Sequence, residues 1–297
     1  MKVGVFVPLV GDPASLPETL AVAATTAEAA GFHSLWFAEH VVLFDAHRSR
    51  YPYSEDGAFP IAGEDGLLEP FVAIAYAAAI TSRIRLGTGV CLVPQRSAIY
   101  TAKQVADCDV LSRGRVDFGV GIGWLREEFE ALDMDFDDRA ERCRDAIGAM
   151  RSLWTDALSS HDGALIRFPE LRMFPKPVQQ PHPPIIFGGA FPYGARRALR
   201  YGDGWMPHRV RKTYADVNAL LPKFREMAKE ANRDLASVPV TIWGAKEDED
   251  LLKRDRDDGV ERIIVSLDSA KADKILPELD RWAKLARAVA YTNRQNS

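Results

Sequence analysis

Eight short, nearly uninterrupted apolar runs recur along the chain, at residues 3–8, 34–38, 84–90, 116–120, 184–187, 204–206, 238–243 and 262–267. They are rich in Val, Ile and Phe and show little polar alternation. Runs of this kind fit parallel strands buried on both faces. Between them lie stretches of helical period, at 17–30, 70–79, 98–111, 138–154, 193–201, 215–231 and 274–285. In 138–154, for example, Ala140, Cys143, Ile147, Met150 and Trp154 fall on one stripe. Residues 251–257 are an eighth helix candidate. It sits in a mostly charged segment, 246–258, that reads equally well as a solvated face.

This alternation predicts an α/β fold, a (β/α)8 TIM barrel formed by residues 1–297 as a single domain. An open doubly wound sheet is the alternative. It would carry GxGxxG after the first strand, and none follows residues 3–8. Two connections exceed the usual loop length. One, 41–69, follows the second strand and is polar and aromatic. The other, 158–183, follows the fourth strand and its helix and carries five prolines. Connections that long in a compact domain are usually functional or disordered.

Composition narrows the class. The chain has 297 residues, 47% hydrophobic and 27% charged, and its Gly and Pro show no period, which excludes a disordered or collagen-like chain. A net charge of −4 with no basic run gives no electrostatic case for nucleic acid. Three widely spaced cysteines (Cys91, Cys108, Cys143) are neither a disulfide framework nor a CxxC metal site, and no HExxH occurs, so no metal is expected. Free thiols fit a reducing compartment. The longest apolar stretch, 71–80, is half a membrane span at best. The expectation is a cytoplasmic protein that acts on a small molecule, with no nucleic-acid or membrane partner.

Barrel chemistry sits at the C-terminal ends of the strands. The second run ends in Glu39-His40, a carboxylate and an imidazole directly after a buried strand. Histidine is the usual proton-transfer side chain near pH 7, although a capping histidine would look the same. His208, after the run 204–206, is a candidate for the rim of a pocket. The third run ends Gly87-Thr88-Gly89-Val90, where glycines within a strand indicate a bulge or close approach by another group. The fourth ends Gly119-Val120-Gly121-Ile122-Gly123-Trp124. Alternating glycines there strip one face, leaving room for a flat ligand or for tight packing. The fifth runs into Gly188-Gly189-Ala190 and then a helix whose first turn holds Ala195, Arg196 and Arg197. Bare backbone N–H groups beside a helix N-terminus suit a phosphate; an ordinary strand-to-helix turn is the alternative.

Together these stretches resemble the luciferase-like monooxygenase superfamily of flavin and deazaflavin enzymes. The resemblance is carried in order by AEAAGFHSLWFAEHVV, by the long segment from RIRLGTGVCLVPQ to EEFEALDMDF, by FPKPVQQPHPPIIFGGAFPYGARRALRYGDGWMP and by GVERIIVSL. Within it the chain looks most like the branch that uses deazaflavin coenzyme F420. The resemblance implies a hydride-transfer oxidoreductase in which His40 is the active-site histidine, with Glu39 beside it. It implies cofactor contacts from Thr88, Gly89 and Val90, where a non-proline cis peptide is often found. It implies further contacts from Gly121, Ile122, Gly123 and Trp124, and a phosphate held by Gly188, Gly189, Ala190 and Ala195. Connection 41–69, with Tyr51, Tyr53 and Phe59, looks like the substrate lid, and a homodimer is implied. Two departures stand out. Ile122 lies where bacterial luciferases carry an arginine, which disfavours FMN. Trp124 lies where deazaflavin sugar-phosphate dehydrogenases carry a glutamate, which disfavours that substrate. The alternatives are an FMN-dependent monooxygenase supplied by a separate reductase, and a non-catalytic flavin-binding protein.

Overall fold

The computed structural model describes residues 1–61, 65–210, 216–267 and 271–291. Part of connection 41–69, the first residue of the expected helix 215–231 and the C-terminal end of the span 1–297 lie outside the described residues. In chain order the elements are β1 (Lys2–Phe6), α1 (Leu16–Ala30), β2 (Ser34–Phe37), α2 (Pro70–Ile80), β3 (Arg85–Thr88), β4 (Cys91–Leu92), α3 (Ala98–Leu111), β5 (Val116–Gly121), α4 (Arg126–Ala131), α5 (Arg139–Thr155), β6 (Ser159–Asp162), β7 (Arg167–Leu171), β8 (Ile185–Gly188), α6 (Tyr193–Tyr201), β9 (Gly204–Met206), α7 (Leu221–Glu230), β10 (Thr241–Trp243), α8 (Glu249–Asp257), β11 (Arg262–Ser266) and α9 (Ala272–Tyr291).

Strands pair in parallel in the order β10-β11-β1-β2-β3-β5-β8-β9. Parallel bridges Trp205–Val240 and His208–Trp243 join β9 back to β10 and close the ring. This is the TIM barrel that the alternating pattern predicts. Its helices pack side by side around it, α1 against α9 and α2, and α3 against α2 and α5. β2 and β5 are buried at every position, as strands covered on both faces must be. Trp36 of β2, fully buried, fills the interior. A Cβ on Gly87 would lie 2.6 Å from its ring, and one on Gly4 would lie 2.8 Å from its indole nitrogen. Those glycines make room for the barrel's own filling.

At the N-terminal end of the strands, Asp117 of β5 is buried between Arg85 (2.6 Å) and Arg262 (2.8 Å). Burial alone would raise its pKa, but the two guanidiniums outweigh it and hold the carboxyl below the ordinary range.

Four local features differ from the pattern-based expectation. Run 84–90 is a strand only as far as Thr88, where β3 stops; the Gly89–Val90 peptide is cis, as the resemblance implies, and β4, just beyond the run, resumes pairing with β5. Connection 158–183 contains the antiparallel hairpin β6–β7. It is pinned by Asp145 of α5, whose carboxylate accepts from Leu165 N–H (2.7 Å), Ile166 N–H (2.8 Å) and His161. α4 is a short helix that sequence periodicity does not reveal. α9 extends beyond 274–285 at both ends and passes through Pro277. The charged segment around 251–257 is helical, because Asp248 caps it by accepting from Leu251 N–H at 3.0 Å and Leu252 is buried beneath it.

Candidate active site

A cavity of about 970 Å³ opens at the C-terminal ends of the barrel strands, and the last residue of each barrel strand or the residue after it lies on its wall. Of the residues expected at a site, Glu39, His40, Gly89, Val90, Gly121, Ile122, Gly123, Trp124, Gly188, Gly189 and Ala190 all line it. Thr88 and Ala195 do not; both are fully buried. The Thr88 hydroxyl donates to Gly119 O at 2.6 Å and ties β3 to β5. His208 is on the wall.

His40 and Glu39 come just after β2, both line the cavity, and their side chains go to different partners. His40 Nδ1 lies 2.8 Å from Glu128 Oε2, and the Glu128 side chain has no solvent exposure. The same carboxylate accepts from Gln95 Nε2 (3.0 Å) and from Val41 N–H (2.7 Å). With its donors fixed, Glu128 holds one ring nitrogen of His40 and leaves Nε2 for the cavity. The Glu39 carboxylate, also on the wall, is taken up by other partners: it accepts from Arg96 and, at 2.5 Å, from Leu92 N–H. Burial pushes the Glu39 carboxyl up, and Arg96 works against that rise. Arg96 also bonds Glu69 (3.1 Å) and Gln104 (2.7 Å). The Glu39 carboxylate is thus committed to holding α2 and α3 against the strand ends.

The glycine-rich walls are packed rather than vacant. A Cβ on Gly121 would fall 2.3 Å from Val90 Cγ2, and one on Gly188 would fall 2.9 Å from Val90 Cγ1. Val90, the residue after the cis bond, occupies the space that the alternating glycines leave. At the other end of the cavity, Gly189 (φ 120°) turns the chain into α6. A Cβ on Gly194 would lie 2.4 Å from Gly189 O, and Trp205 Nε1 donates to that oxygen at 3.2 Å. The loop is thereby fixed with its backbone beside the α6 N-terminus.

Two guanidiniums face this end. Arg139 stacks 3.7 Å above the Phe136 ring and bonds Phe136 O, while its buried Nε has no partner. Arg197 has neither ion-pair nor hydrogen-bond partner among the described residues. Burial lowers the pKa of both; at Arg139 the Asp137 carboxylate opposes this and the Arg126 and Arg197 guanidiniums add to it. Two guanidiniums on one wall, neither in an ion pair among the described residues, favour an anion.

Aromatic side chains form the cover. Tyr51 packs on Trp124 (5.2 Å) and Phe59 (5.0 Å), Phe59 packs on His40 (5.0 Å), and Tyr53 stacks on His208 (4.5 Å). Glu127 anchors this segment by accepting from the N–H groups of Arg48 (2.6 Å) and Ser49 (3.2 Å). Adjacent glutamates of α4 therefore hold the catalytic histidine candidate and the cover. Sequence reasoning missed Glu128, Gln95, Arg139 and Trp205. Glu128 sits in an acidic run, 127–130, in which nothing local says which carboxylate turns inward.

The sequence model of the family described as luciferase-like monooxygenase matches residues 1–247. An uncharacterized protein of Mycobacterium tuberculosis is 33% identical over 280 residues, covering 91% of this chain and 95% of that protein. The oxygenase component of flavin-dependent trigonelline monooxygenase from Acinetobacter baylyi is 32% identical, covering 68% of this chain and 53% of that protein. F420-dependent hydroxymycolic acid dehydrogenase of M. tuberculosis is 30% identical, covering 73% and 55%. Among solved structures, monooxygenase RslO1 from Streptomyces bottropensis superposes with a TM-score of 0.74 at 24% identity, covering 96% of this chain and 98% of that one. An F420-dependent secondary alcohol dehydrogenase gives 0.74 at 18%, covering 97% and 98%. Both support the barrel fold.

Proposed function

The chain belongs to the luciferase-like monooxygenase family, and from that premise we propose that it is an F420-dependent oxidoreductase acting on a small organic substrate. One observation carries the reading. A single cavity has an anion-seeking end, with Arg139, Arg197 and the Gly188–Ala190 turn, and a proton-handling end, with His40 held by Glu128. The unpartnered Arg139 Nε and the exposed backbone beside α6 fit the anionic part of a flavin or deazaflavin. Val90, Gly121, Ile122 and Gly123 would back its ring. When bound, that ring supplies hydride donation or acceptance. The chain does the rest. The turn and the guanidiniums orient the cofactor. Tyr51, Phe59 and Trp124 exclude water. His40 Nε2 gives or takes the proton of the substrate oxygen as hydride joins or leaves the adjacent carbon. Glu128 fixes the ring through Nδ1.

Ile122 favours F420, since it offers the cofactor no positive charge at that point of the wall. The FMN-dependent monooxygenase reading keeps its own support in the trigonelline monooxygenase relative, whose description as an oxygenase component would bring a separate reductase partner to this chain as well. Titration of the purified protein with F420 and with FMN, followed by fluorescence, separates the two. Tighter F420 binding with no O2 consumption supports the proposal; tighter binding of reduced FMN with O2 uptake overturns it.

We also propose a homodimer. α2 is apolar on every side, yet Val72, Tyr76 and Ile80 are exposed at four-residue spacing, with Tyr100 (76% exposed) and Leu111 of α3 beside them. A helix apolar all round is normally covered, and a patch of this kind marks an interface. A second copy, meeting like with like, is the occupant that satisfies both helices.

A further inference from the structure

We propose that the part of the cavity beneath the 41–61 segment receives an uncharged, flat, largely apolar molecule whose one oxygen function meets His40. This rests on the reading of His40 as the proton-handling group. The volume of about 970 Å³ is at the upper end of the ~300–1,000 Å³ of single-ligand sites, so a second molecule fits beside a cofactor.

The wall says what that second molecule is. The covering segment carries Asp45, Arg48, Arg50, Glu55, Asp56 and, further on, Glu69, and none of these lines the cavity. Arg50 donates to Asp56 O at 2.5 Å, and Glu69 bonds Arg96. What the segment does present is Tyr51, Tyr53, Phe59 and Ile61. Below them the strand ends present Phe6, Met206 and Trp243. The carboxylate on the wall, Glu39, is already bonded to Arg96 and to Leu92 N–H. The two wall guanidiniums stand at the α6 end. Among the described residues, a substrate carboxylate or phosphate under the cover would find no lysine or arginine, only the imidazoles of His40 and His208, and an ammonium would find no available carboxylate. Burying either without a partner is costly. A flat ring would instead meet aromatic faces and edges, the arrangement that favours ring-on-ring contact. The Tyr51 phenol is itself buried, which pushes its pKa up and keeps it neutral.

The test uses one ring in two charge states. 2-Naphthol, neutral at pH 7, and 2-naphthoate are titrated calorimetrically into the Arg139→Ala/Arg197→Ala variant, in which the anion-seeking end is silenced. Binding of naphthol at least tenfold tighter than naphthoate is expected. Phe59→Arg, added to that variant, should reverse the order, and Ile61→Arg serves if the first fails to fold. Equal affinities, tighter naphthoate binding, no naphthol binding up to its solubility, or an order unchanged by both arginine substitutions overturns the proposal. A separate titration of the unmodified protein with F420 and FMN reads the functional proposal. Failure of both cofactors to bind, with the naphthol preference intact, would remove the redox reading and leave the apolar site standing.

Discussion

His40 Nδ1 and Glu128 Oε2 stand 2.8 Å apart across 88 residues of sequence, one at the end of β2 and the other on α4. The carboxylate is fully buried, and its other bonds, to Gln95 and Val41 N–H, leave it little freedom to move. A histidine held this way presents a fixed ring nitrogen to a substrate, as general acid–base catalysis requires.

Removing either partner should therefore act on chemistry rather than on binding. His40→Asn should lower kcat by ~10²–10⁴, the usual contribution of a positioned acid or base. Glu128→Gln keeps the shape but not the charge, and should lower kcat roughly 10–100-fold, matching the ~1.5–3 kcal/mol of a charged hydrogen bond. Because Glu128 acts through His40, KM and cofactor affinity should stay within a few-fold in both variants. Steady-state kinetics together with a cofactor titration check this. A change in KM alone would make the pair a structural cap.

Arg139 and Arg197 should behave as an electrostatic pair. Arg139→Ala and Arg197→Ala should each weaken cofactor binding about tenfold, or ~1.4 kcal/mol. Each should also flatten the dependence of affinity on salt, since one fewer charge is screened. Arg197→Ala should not lower thermal stability, because that guanidinium has no ion-pair or hydrogen-bond partner among the described residues, whereas Arg139→Ala should lower it slightly by removing the stacking on Phe136 and the bond to Phe136 O. Titrations at two ionic strengths read the first two effects and a melting curve the third.

Gly189 tests the cradle separately. Its φ of 120° suits glycine, and nothing but Gly194 Cα lies within 4 Å of a Cβ built there. Gly189→Ala should therefore show the backbone effect alone, and Gly189→Asp should add a carboxylate where an anion is to bind. Affinity for the cofactor should fall in that order, by at least tenfold for Asp. Equal affinities for the two variants would mean that no anion sits at this turn.

The barrel was legible in the sequence because two-faced burial writes itself as uninterrupted apolar runs, and eight of these alternate with helical stripes. Most of the cavity wall followed, since barrel sites collect at strand ends and glycines there are conspicuous. What was not legible depends on partners far away in sequence. Nothing within 126–131 distinguishes inward Glu128 from Glu127, which serves the cover. Nothing near residue 39 reveals that Arg96 claims Glu39. The hairpin β6–β7 is held by Asp145, twenty residues upstream of one of its N–H donors. Alternating glycines at 119–123 suggest open space, and only the structure places Val90 and the Thr88 carbonyl in it.

The exposed face of α2 and α3 predicts association. Val72→Glu combined with Tyr100→Glu adds charges that cannot be buried together in a symmetric contact. Light scattering coupled to size-exclusion chromatography should give a dimer for the unmodified chain and a monomer for the double variant. A monomeric unmodified chain, or an unchanged dimer in the variant, would place no second copy on this face.

Glu28 gives a pH dependence whose sign is set by the structure. Near the C-terminal end of α1 its carboxylate accepts from three successive N–H groups, those of Ser82 (3.0 Å), Arg83 (2.6 Å) and Ile84 (2.9 Å). Burial opposes ionisation, but these donors prevail and bring the pKa from 4.5 down to about 2. Below a pH of about 2 the carboxyl is protonated in both folded and unfolded chains, so the contribution is absent. Above 4.5 it is ionised in both, and the folded chain keeps the full benefit of its donors. Stability from this group therefore falls as pH drops from 4.5 towards 2. Glu28→Gln should lower unfolding free energy by roughly 1–3 kcal/mol at pH 7, the cost of leaving such donors poorly satisfied. Urea unfolding of both proteins across this range should show the gap narrowing as the pH falls through that window. A gap that stays constant with pH would mean the loss comes from packing and not from the carboxylate charge.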